Sequence, residues 1–332
     1  MPLPTHFTLN TGAKIPAVGF GTWQAAPHEV EKAVEIALRE GEVETRVRRG
    51  HIDCAAIYRN ETEVGAGIRQ SGVPRDQIFI TGKLWNTKHR PGDVEAALDK
   101  TLADLGTDYV DLYLMHWPCA FAPGDKWFPL DHRGVFALDD VDPAETYKAM
   151  EKLLRTGKAK AIGVSNFNIR RLDDLLAKTT VVPAANQIEA HPYLQQHELT
   201  AYCKDKGILI EAYSPLGNNQ TGEPRTVDDP KVHDIAKTLG VDPGVLLASW
   251  GVQRGTVVLP KSVTPHRIAS NLKVKELPDE SFQGLNALER HKRFNFPGLR
   301  WGYDIFEEVG DAEKVKKSAE SFGEENKTKF TV

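Results

Sequence analysis

Along most of the chain, short apolar runs alternate with stretches in which apolar residues recur every three or four positions. The runs lie at residues 17–22 (AVGFGT), 51–55 (HIDCA), 78–85 (IFITGKLW), 110–117 (VDLYLMHW), 161–167 (AIGVSNF), 184–189 (AANQIE), 209–217 (LIEAYSPLG) and 256–262 (TVVLPKS). Their near-continuous hydrophobicity predicts strands buried on both faces. Between them, Val94, Ala97, Leu98, Leu102 and Leu105 predict a helix ending at Gly106, and Leu194, Leu199, Tyr202 and Cys203 predict another. Eight strand and helix alternations predict an α/β fold with a parallel sheet covered by helices, and the count favours a closed (β/α)8 TIM barrel over a doubly wound sheet.

Residues 1–332 then read as a single barrel domain with appendages. FTLN and KIPAV flank Thr11, Gly12 and Ala13, which predicts a hairpin over 7–16 that plugs one end of a barrel spanning 17–275. The alternation stops near Val274, leaving a C-terminal helix, loop and tail over 276–332. The last 23 residues carry five Lys and five acidic residues, so the chain past Gly310 is expected to be mobile. The first barrel helix is expected to end at Gly41, and residues 42–50 (EVETRVRRG) to extend the loop below strand two, on the face away from the chemistry.

Composition narrows the class of function. Apolar residues make up 40%, charged residues 27%, and the net charge is −4, which argues against disorder and against a polybasic partner of nucleic acid or anionic membrane. No run reaches the length of a membrane span, and MPLPTHFTLNTG lacks a signal-peptide layout, so a cytoplasmic protein is expected. Three scattered cysteines, Cys54, Cys119 and Cys203, suit neither a disulfide framework nor a metal site. Sequons at Asn60, Asn219 and Asn326 are expected to stay unmodified in that compartment.

In such a barrel the chemistry sits at the C-terminal ends of the strands. Three consecutive strands place Asp53, Lys83 and His116 there, and Tyr58 follows Asp53 by five residues. A lysine in an apolar strand must be paired, and Asp53 is the neighbouring carboxylate. A phenol beside that cation is expected to titrate below its ordinary value of about 10 and to donate a proton, with His116 directing a carbonyl oxygen. Lys261 ends the eighth strand, Thr264 reads as an N-cap, Pro265 as the first helical residue, and Arg267 falls in the first turn. Two cations at a helix start form a phosphate site, located where barrels commonly bind phosphate.

The segments GFGTWQ, HIDCAAIYRNE, TGKLW, DLYLMHWP, GVSNF, NQIEAHPYL, AYSPLG and LPKSVTPHRIASN, in this order, resemble the aldo-keto reductase superfamily from about residue 7 to about residue 306. FTLNTGAKIPAVGFGTWQ and RHKRFNFP with RWGYDIFEEVG look closest to its fungal branch of NADP-dependent glycerol dehydrogenases and glyceraldehyde or galacturonate reductases. The resemblance implies a tetrad: Tyr58 as general acid, Lys83 lowering its pKa, Asp53 holding Lys83, and His116 orienting the carbonyl. It implies NADP(H), its 2′-phosphate held by Lys261, Ser262, Thr264 and Arg267. Tyr213 would stack on the nicotinamide, Ser165, Asn166 and Gln187 would bond its carboxamide, and Ser214, Leu216 and Gly217 would hold the pyrophosphate. Thr22, Trp23, Val263 and Asn271 complete the implied cofactor set, and many relatives act as monomers. Asn218 and Ser270 stand where the family usually has Ser and Glu, and residues 42–50 replace about two residues.

The substrate is expected to meet the loops over the mouth. Residues 118–142 form the longest of these, with Phe121, Trp127 and Phe128, which together with Trp23, Trp85 and Trp117 predict an aromatic pocket. The stretch from Arg293 to Phe306 adds aromatic and cationic candidates, and Arg293 or Arg300 would suit an acidic sugar. Other readings are weaker. Gly19-Phe20-Gly21 lacks the third glycine of a Rossmann turn, Gln24 standing in its place. No HExxH pattern or His/Asp cluster marks a metal, and none is expected. A non-catalytic binding or regulatory role conflicts with the intact set of Asp53, Tyr58, Lys83 and His116.

Overall fold

The computed structural model describes residues 2–43 and 50–326. A hairpin of β1 (His6–Thr8) and β2 (Lys14–Pro16) comes first. Barrel strands β3 (Phe20–Gly21), β4 (Gly50–Asp53), β5 (Ile78–Leu84) and β6 (Leu112–Met115) follow. A second small hairpin, β7 (Ala120–Phe121) with β8 (Leu138–Asp139), lies across the mouth. The barrel resumes with β9 (Ile162–Ser165), β10 (Ala185–Glu189), β11 (Leu209–Tyr213) and β12 (Val257–Leu259). Helices α1 (Val30–Val43), α2 (Glu61–Ser71), α3 (Val94–Leu105), α4 (Pro143–Thr156), α5 (Ile169–Leu176) and α6 (His197–Asp205) alternate with the strands. They are followed by α7 (Pro230–Leu239), α8 (Pro243–Gln253), α9 (Pro265–Asn271), α10 (Asp279–Asn286), α11 (Gly298–Trp301) and α12 (Ala312–Asn326).

Eight strands form one parallel sheet, with β3 and β12 at its ends. A parallel bridge between Val18 and Val258 joins those ends. Gly19 N donates to Val258 O at 2.8 Å and Gly21 N to Pro260 O at 3.1 Å, so the sheet closes into a barrel. The apolar runs take this form because each strand is covered by helices outside and by facing strands inside. The β1–β2 hairpin contributes Leu9 and Ile15 to a buried layer with Phe79, Leu112, Leu114, Val257 and Leu259, which fills the lower barrel. Punctuation residues act as the physics predicts: Gly106, at φ 68°, ends α3 in the left-handed region. Asp142 caps α4 by accepting from Ala144 N, with Pro143 in the first turn.

Four expectations are corrected. Helix α1 runs through Gly41 to Val43, because a glycine weakens a helix by only about 1 kcal/mol and does not force its end. Of the segment 42–50, residues 44–49 lie outside the described residues, and β4 begins at Gly50. Helix α6 starts at His197, so Leu194 precedes it and instead bridges His191. The loop 118–142 contains the β7–β8 pair.

The largest correction is at the C-terminus. Residues 312–326 form α12, with Val315 and Ala319 buried and Phe322 partly buried against the aromatic cluster. Its charged residues occupy the outer face and the apolar ones a narrow inner stripe, which suffices when a groove already exists. A Cβ added at Gly323 would lie 2.9 Å from the carbonyl oxygen of Gly134, so α12 meets the mouth loop by backbone contact.

Candidate active site

A cleft of about 580 Å³ opens at the C-terminal ends of the strands. Its floor is built by β4, β5 and β6. Asp53 is the last residue of β4, Lys83 lies near the end of β5, and His116 follows β6. A single 3₁₀ turn, Ala56–Tyr58, carries the phenol back over them. Lys83, fully buried, donates from Nζ to Asp53 Oδ1 at 2.7 Å and to the Cys54 carbonyl at 3.0 Å, and stands 3.3 Å from Tyr58 Oη. The Tyr58 and His116 rings meet edge to face at 5.8 Å. Asp53, Lys83 and His116 from three strand ends and Tyr58 from the turn thus converge on one point.

Their electrostatics depart from the sequence reading in one respect. Burial pushes Tyr58 up to about 12, outweighing the downward pull of Lys83, while the Asp53 carboxylate adds to the rise. The reason is desolvation: the phenol is shut away from water, and the pull of the Lys83 ammonium on its anion is partly offset by Asp53, which lies closer to that ammonium. Burial alone would depress Lys83, yet Asp53 and Tyr58 hold it above the ordinary lysine range. Burial, followed by Lys83, holds His116 well below its usual value, so it is a neutral imidazole.

Opposite this floor, Tyr213 exposes its ring to the cleft and donates from Oη to Asn166 Oδ1 at 2.8 Å. Asn166 Nδ2 donates to the His116 carbonyl and to Ser165 Oγ, so its amide is spent on positioning. Gln187 Nε2 donates to Asp53 Oδ1 at 2.8 Å and to Glu211 Oε2 at 2.7 Å. Its Oε1 has no protein donor among the described residues. Ser165 Oγ donates to the Gln187 carbonyl. Asn166 and Ser214, which follow β9 and β11, hold left-handed backbones at φ 65° and 48°. Gln24 and Arg59, at φ 57° and 58°, complete a concentration of strained residues around the cleft.

Ser214, Leu216, Gly217 and Asn218 form the wall beyond Tyr213. Gly217, at φ 74°, has no room for a side chain, since a Cβ would come within 2.6 Å of Thr226 N. Lys261, Ser262, Val263, Thr264 and Arg267 line the far end. Thr264 is the N-cap of α9 but its hydroxyl accepts no cap bond, and Ser262 Oγ accepts from Thr264 N instead. Arg267 is exposed, and Lys261 donates to the Gln24 carbonyl at 2.9 Å. Two expected residues are absent from the wall. Thr22 is buried with its hydroxyl on the Asp53 carbonyl, and Asn271 is buried at the end of α9, beside Gly244.

The aromatic end is lined by Trp23, Trp85, Trp117 and Phe128, and also by Ile57, Phe136 and Trp301. Phe121 lies behind this wall, buried against Trp301 at 5.0 Å, because β7 turns its side chain inward. Trp127 also does not face the cleft, and its carbonyl accepts from Trp85 Nε1 at 2.7 Å. Of the two candidate arginines, Arg293 is engaged by Glu308 and stacked on Phe306. Arg300 reaches the cleft and has no acidic partner among the described residues, only the Phe322 ring at 5.2 Å. Asn295, Phe136 and Trp301 escape motif reasoning because they are brought to the mouth by packing alone, although the aromatic content of 293–306 marks the region.

No group of three or more metal-ligating side chains is found among the described residues. No described helix is long and apolar enough to cross a membrane. Residues 17–290 match the profile of the Aldo/keto reductase family. "Aldo-keto reductase family 1 member A1" from Xenopus tropicalis is 47% identical over 302 residues, covering 87% of this chain and 90% of that protein. The protein of the same name from Homo sapiens is 46% identical over 304 residues, covering 88% and 91%. Among solved structures, the aldose reductase from Schistosoma japonicum superposes with a TM-score of 0.82 at 38% identity, covering 91% of this chain and 97% of that one.

Proposed function

This chain belongs to the aldo/keto reductase family, and from that premise we propose that it is an NADPH-dependent reductase of aldehydes, reversible as oxidation of glycerol or a related polyol. The observation that carries this reading is the Asp53–Lys83–Tyr58 arrangement, with its phenol facing a cleft that leads from an aromatic mouth to the cations Lys261 and Arg267. The cleft's donors and acceptors fit a phosphorylated dinucleotide. Lys261 and Arg267 suit a 2′-phosphate, the wall of Ser214, Leu216 and Gly217 is placed for a pyrophosphate, Tyr213 offers a flat ring, and the Gln187 Oε1 offers an acceptor to a carboxamide. When bound, NADPH supplies the hydride.

The chain's own residues handle the proton. His116, neutral, donates a hydrogen bond to the substrate carbonyl and fixes it near Tyr58. Tyr58 gives its hydroxyl proton to the oxygen as that oxygen becomes an alkoxide, a far stronger base than a phenolate. Lys83, 3.3 Å away, stabilises the phenolate left behind, and Asp53 keeps Lys83 in place. Trp23, Trp85, Trp117 and Phe128 exclude water from the reacting carbon.

An NADPH-oxidation screen across DL-glyceraldehyde, galacturonate, pentoses and aromatic aldehydes tests the reading, and silence across all of them would refute it. Arg267→Ala is expected to weaken NADPH by about 10- to 100-fold while changing NADH little, the loss of one charge-assisted contact. Equal losses for both cofactors would rule out a 2′-phosphate role. The finer substrate assignment, glyceraldehyde or a sugar or uronate aldehyde, is supported by the unpaired guanidinium of Arg300 beside an otherwise apolar mouth. Arg300→Ala is expected to raise KM for galacturonate roughly tenfold or more, leaving KM for glyceraldehyde almost unchanged. A parallel rise for both substrates would remove the carboxylate contact from the assignment.

A further inference from the structure

Beneath the catalytic floor lies an ionisable group that the tetrad does not account for. Glu211, at the centre of β11, is fully buried in the barrel interior. It pairs in register with Gln187 on β10 and Val257 on β12. One nitrogen, Gln187 Nε2, bridges two buried carboxyls, donating to Asp53 at 2.8 Å and to Glu211 at 2.7 Å. The second oxygen of Glu211, Oε1, is buried with no hydrogen-bond partner among the described residues.

The groups around it can be enumerated by strand. β4 supplies Asp53 and His51, β5 supplies Lys83, β10 supplies Gln187 and, two residues on, Glu189, whose carboxylate is taken up by His191 Nε2 and the Phe294 and Asn295 amides, and β12 has no ionisable residue. On its own strand, Tyr213 lies two residues on, a phenol held well above its usual range by burial. His51 is held down to about 3 by burial and by Lys83, and its Nε2 pairs with Thr81, so it carries no charge. Among the described residues, Lys83 is the cation that faces the Asp53 and Glu211 carboxyls. It is committed to Asp53 at 2.7 Å and makes no contact with Glu211. A buried cluster with two negative charges and one positive is strongly disfavoured, so the proton that restores neutrality resides on Glu211.

We propose that Glu211 is a proton-holding positioning residue that couples pH to the redox state of the cofactor in the cleft. Protonated, it leaves the floor beneath Tyr58 neutral; ionised, having released its proton to solvent, it adds a negative charge there. That charge favours the oxidised nicotinamide, which is cationic, over the reduced one, which is not. The inference rests on the dinucleotide reading of the cleft, with the nicotinamide against Tyr213. Burial, and then repulsion from Asp53, push Glu211 up to about 7, which places its ionisation near neutral pH.

Kd values for NADP+ and NADPH, measured by tryptophan fluorescence from about pH 5.5 to about pH 8.5, test this through linkage. The 2′-phosphate titrates in both cofactors and cancels in their ratio. In the unsubstituted protein the ratio of Kd for NADP+ to Kd for NADPH is expected to fall about tenfold with rising pH. In Glu211→Gln the ratio should be flat. Glu211→Met removes the carboxyl while keeping much of the side-chain volume, and serves where the glutamine variant folds poorly. A ratio that is flat in the unsubstituted protein, or a slope that survives both substitutions, would overturn the proposal while the cofactor reading stands. Failure of either cofactor to bind at any pH would overturn both together.

Discussion

Replacing Tyr58 by Phe is expected to reduce turnover of DL-glyceraldehyde by about 10²- to 10⁴-fold while leaving NADPH affinity nearly intact. The hydroxyl is the group that meets both Lys83 and the cleft, and the remaining ring still fills its place beside His116. Water admitted to the gap is a poor substitute because it lacks the lysine contact that stabilises the departing anion. The raised Tyr58 pKa sets the sign of the pH response. Reduction uses the protonated phenol, which persists until the pH approaches about 12, so that direction should show no loss from Tyr58 ionisation between neutrality and mild alkali. Oxidation of an alcohol uses the phenolate, so its rate should climb with pH over the same interval. Parallel initial-rate profiles in the two directions check the sign, and Tyr58→Phe protein with appreciable turnover would eliminate the general-acid role.

Lys83→Met is expected to be as severe, but in stability as well as rate. The ammonium is fully buried and Asp53 is nearly so. Removing the cation leaves a carboxylate in the barrel with only the Gln187 amide for support, a change that typically destabilises by about 3–5 kcal/mol. Equilibrium denaturation should recover most of that loss in the double variant Lys83→Met with Asp53→Asn, where the stranded charge is gone, though reduction stays abolished in both. If the double variant is no more stable than the single one, the loss arises from packing of the lysine stem and not from the pair.

Much of this architecture is legible in the residues because it depends on local rules. The strands announce themselves by unbroken apolar runs, and Gly106 and Asp142 place helix boundaries by their own conformational preferences. Asp53, Lys83 and His116 are conspicuous since polar groups in such runs are anomalous. What escapes is settled by competition between distant parts. The phenol's titration depends first on how completely distant segments bury it, and then on its distances from Lys83 and Asp53. Helix α12 looks like a charged tail until the groove between α11 and the mouth loop gives Val315, Ala319 and Phe322 somewhere to lie. Phe121 lies behind the wall while Trp301 faces the cleft because an aromatic run states that a cluster exists, not which ring faces inward.

The bridge between Val18 and Val258 has a consequence in time. Its two halves are separated by 240 positions of the chain, so the strand that accepts β3 as a neighbour is made almost last. At ribosomal rates of about 5–20 residues per second, the N-terminal strand waits roughly 10–50 seconds for its partner. Throughout that interval the edge of β3 is open, and Leu9 and Ile15 lack the layer to which Val257 and Leu259 contribute. The first twenty or so residues are thus the part of the nascent chain most in need of shelter from chaperones, and the part whose protection from proteolysis would report that the barrel has shut.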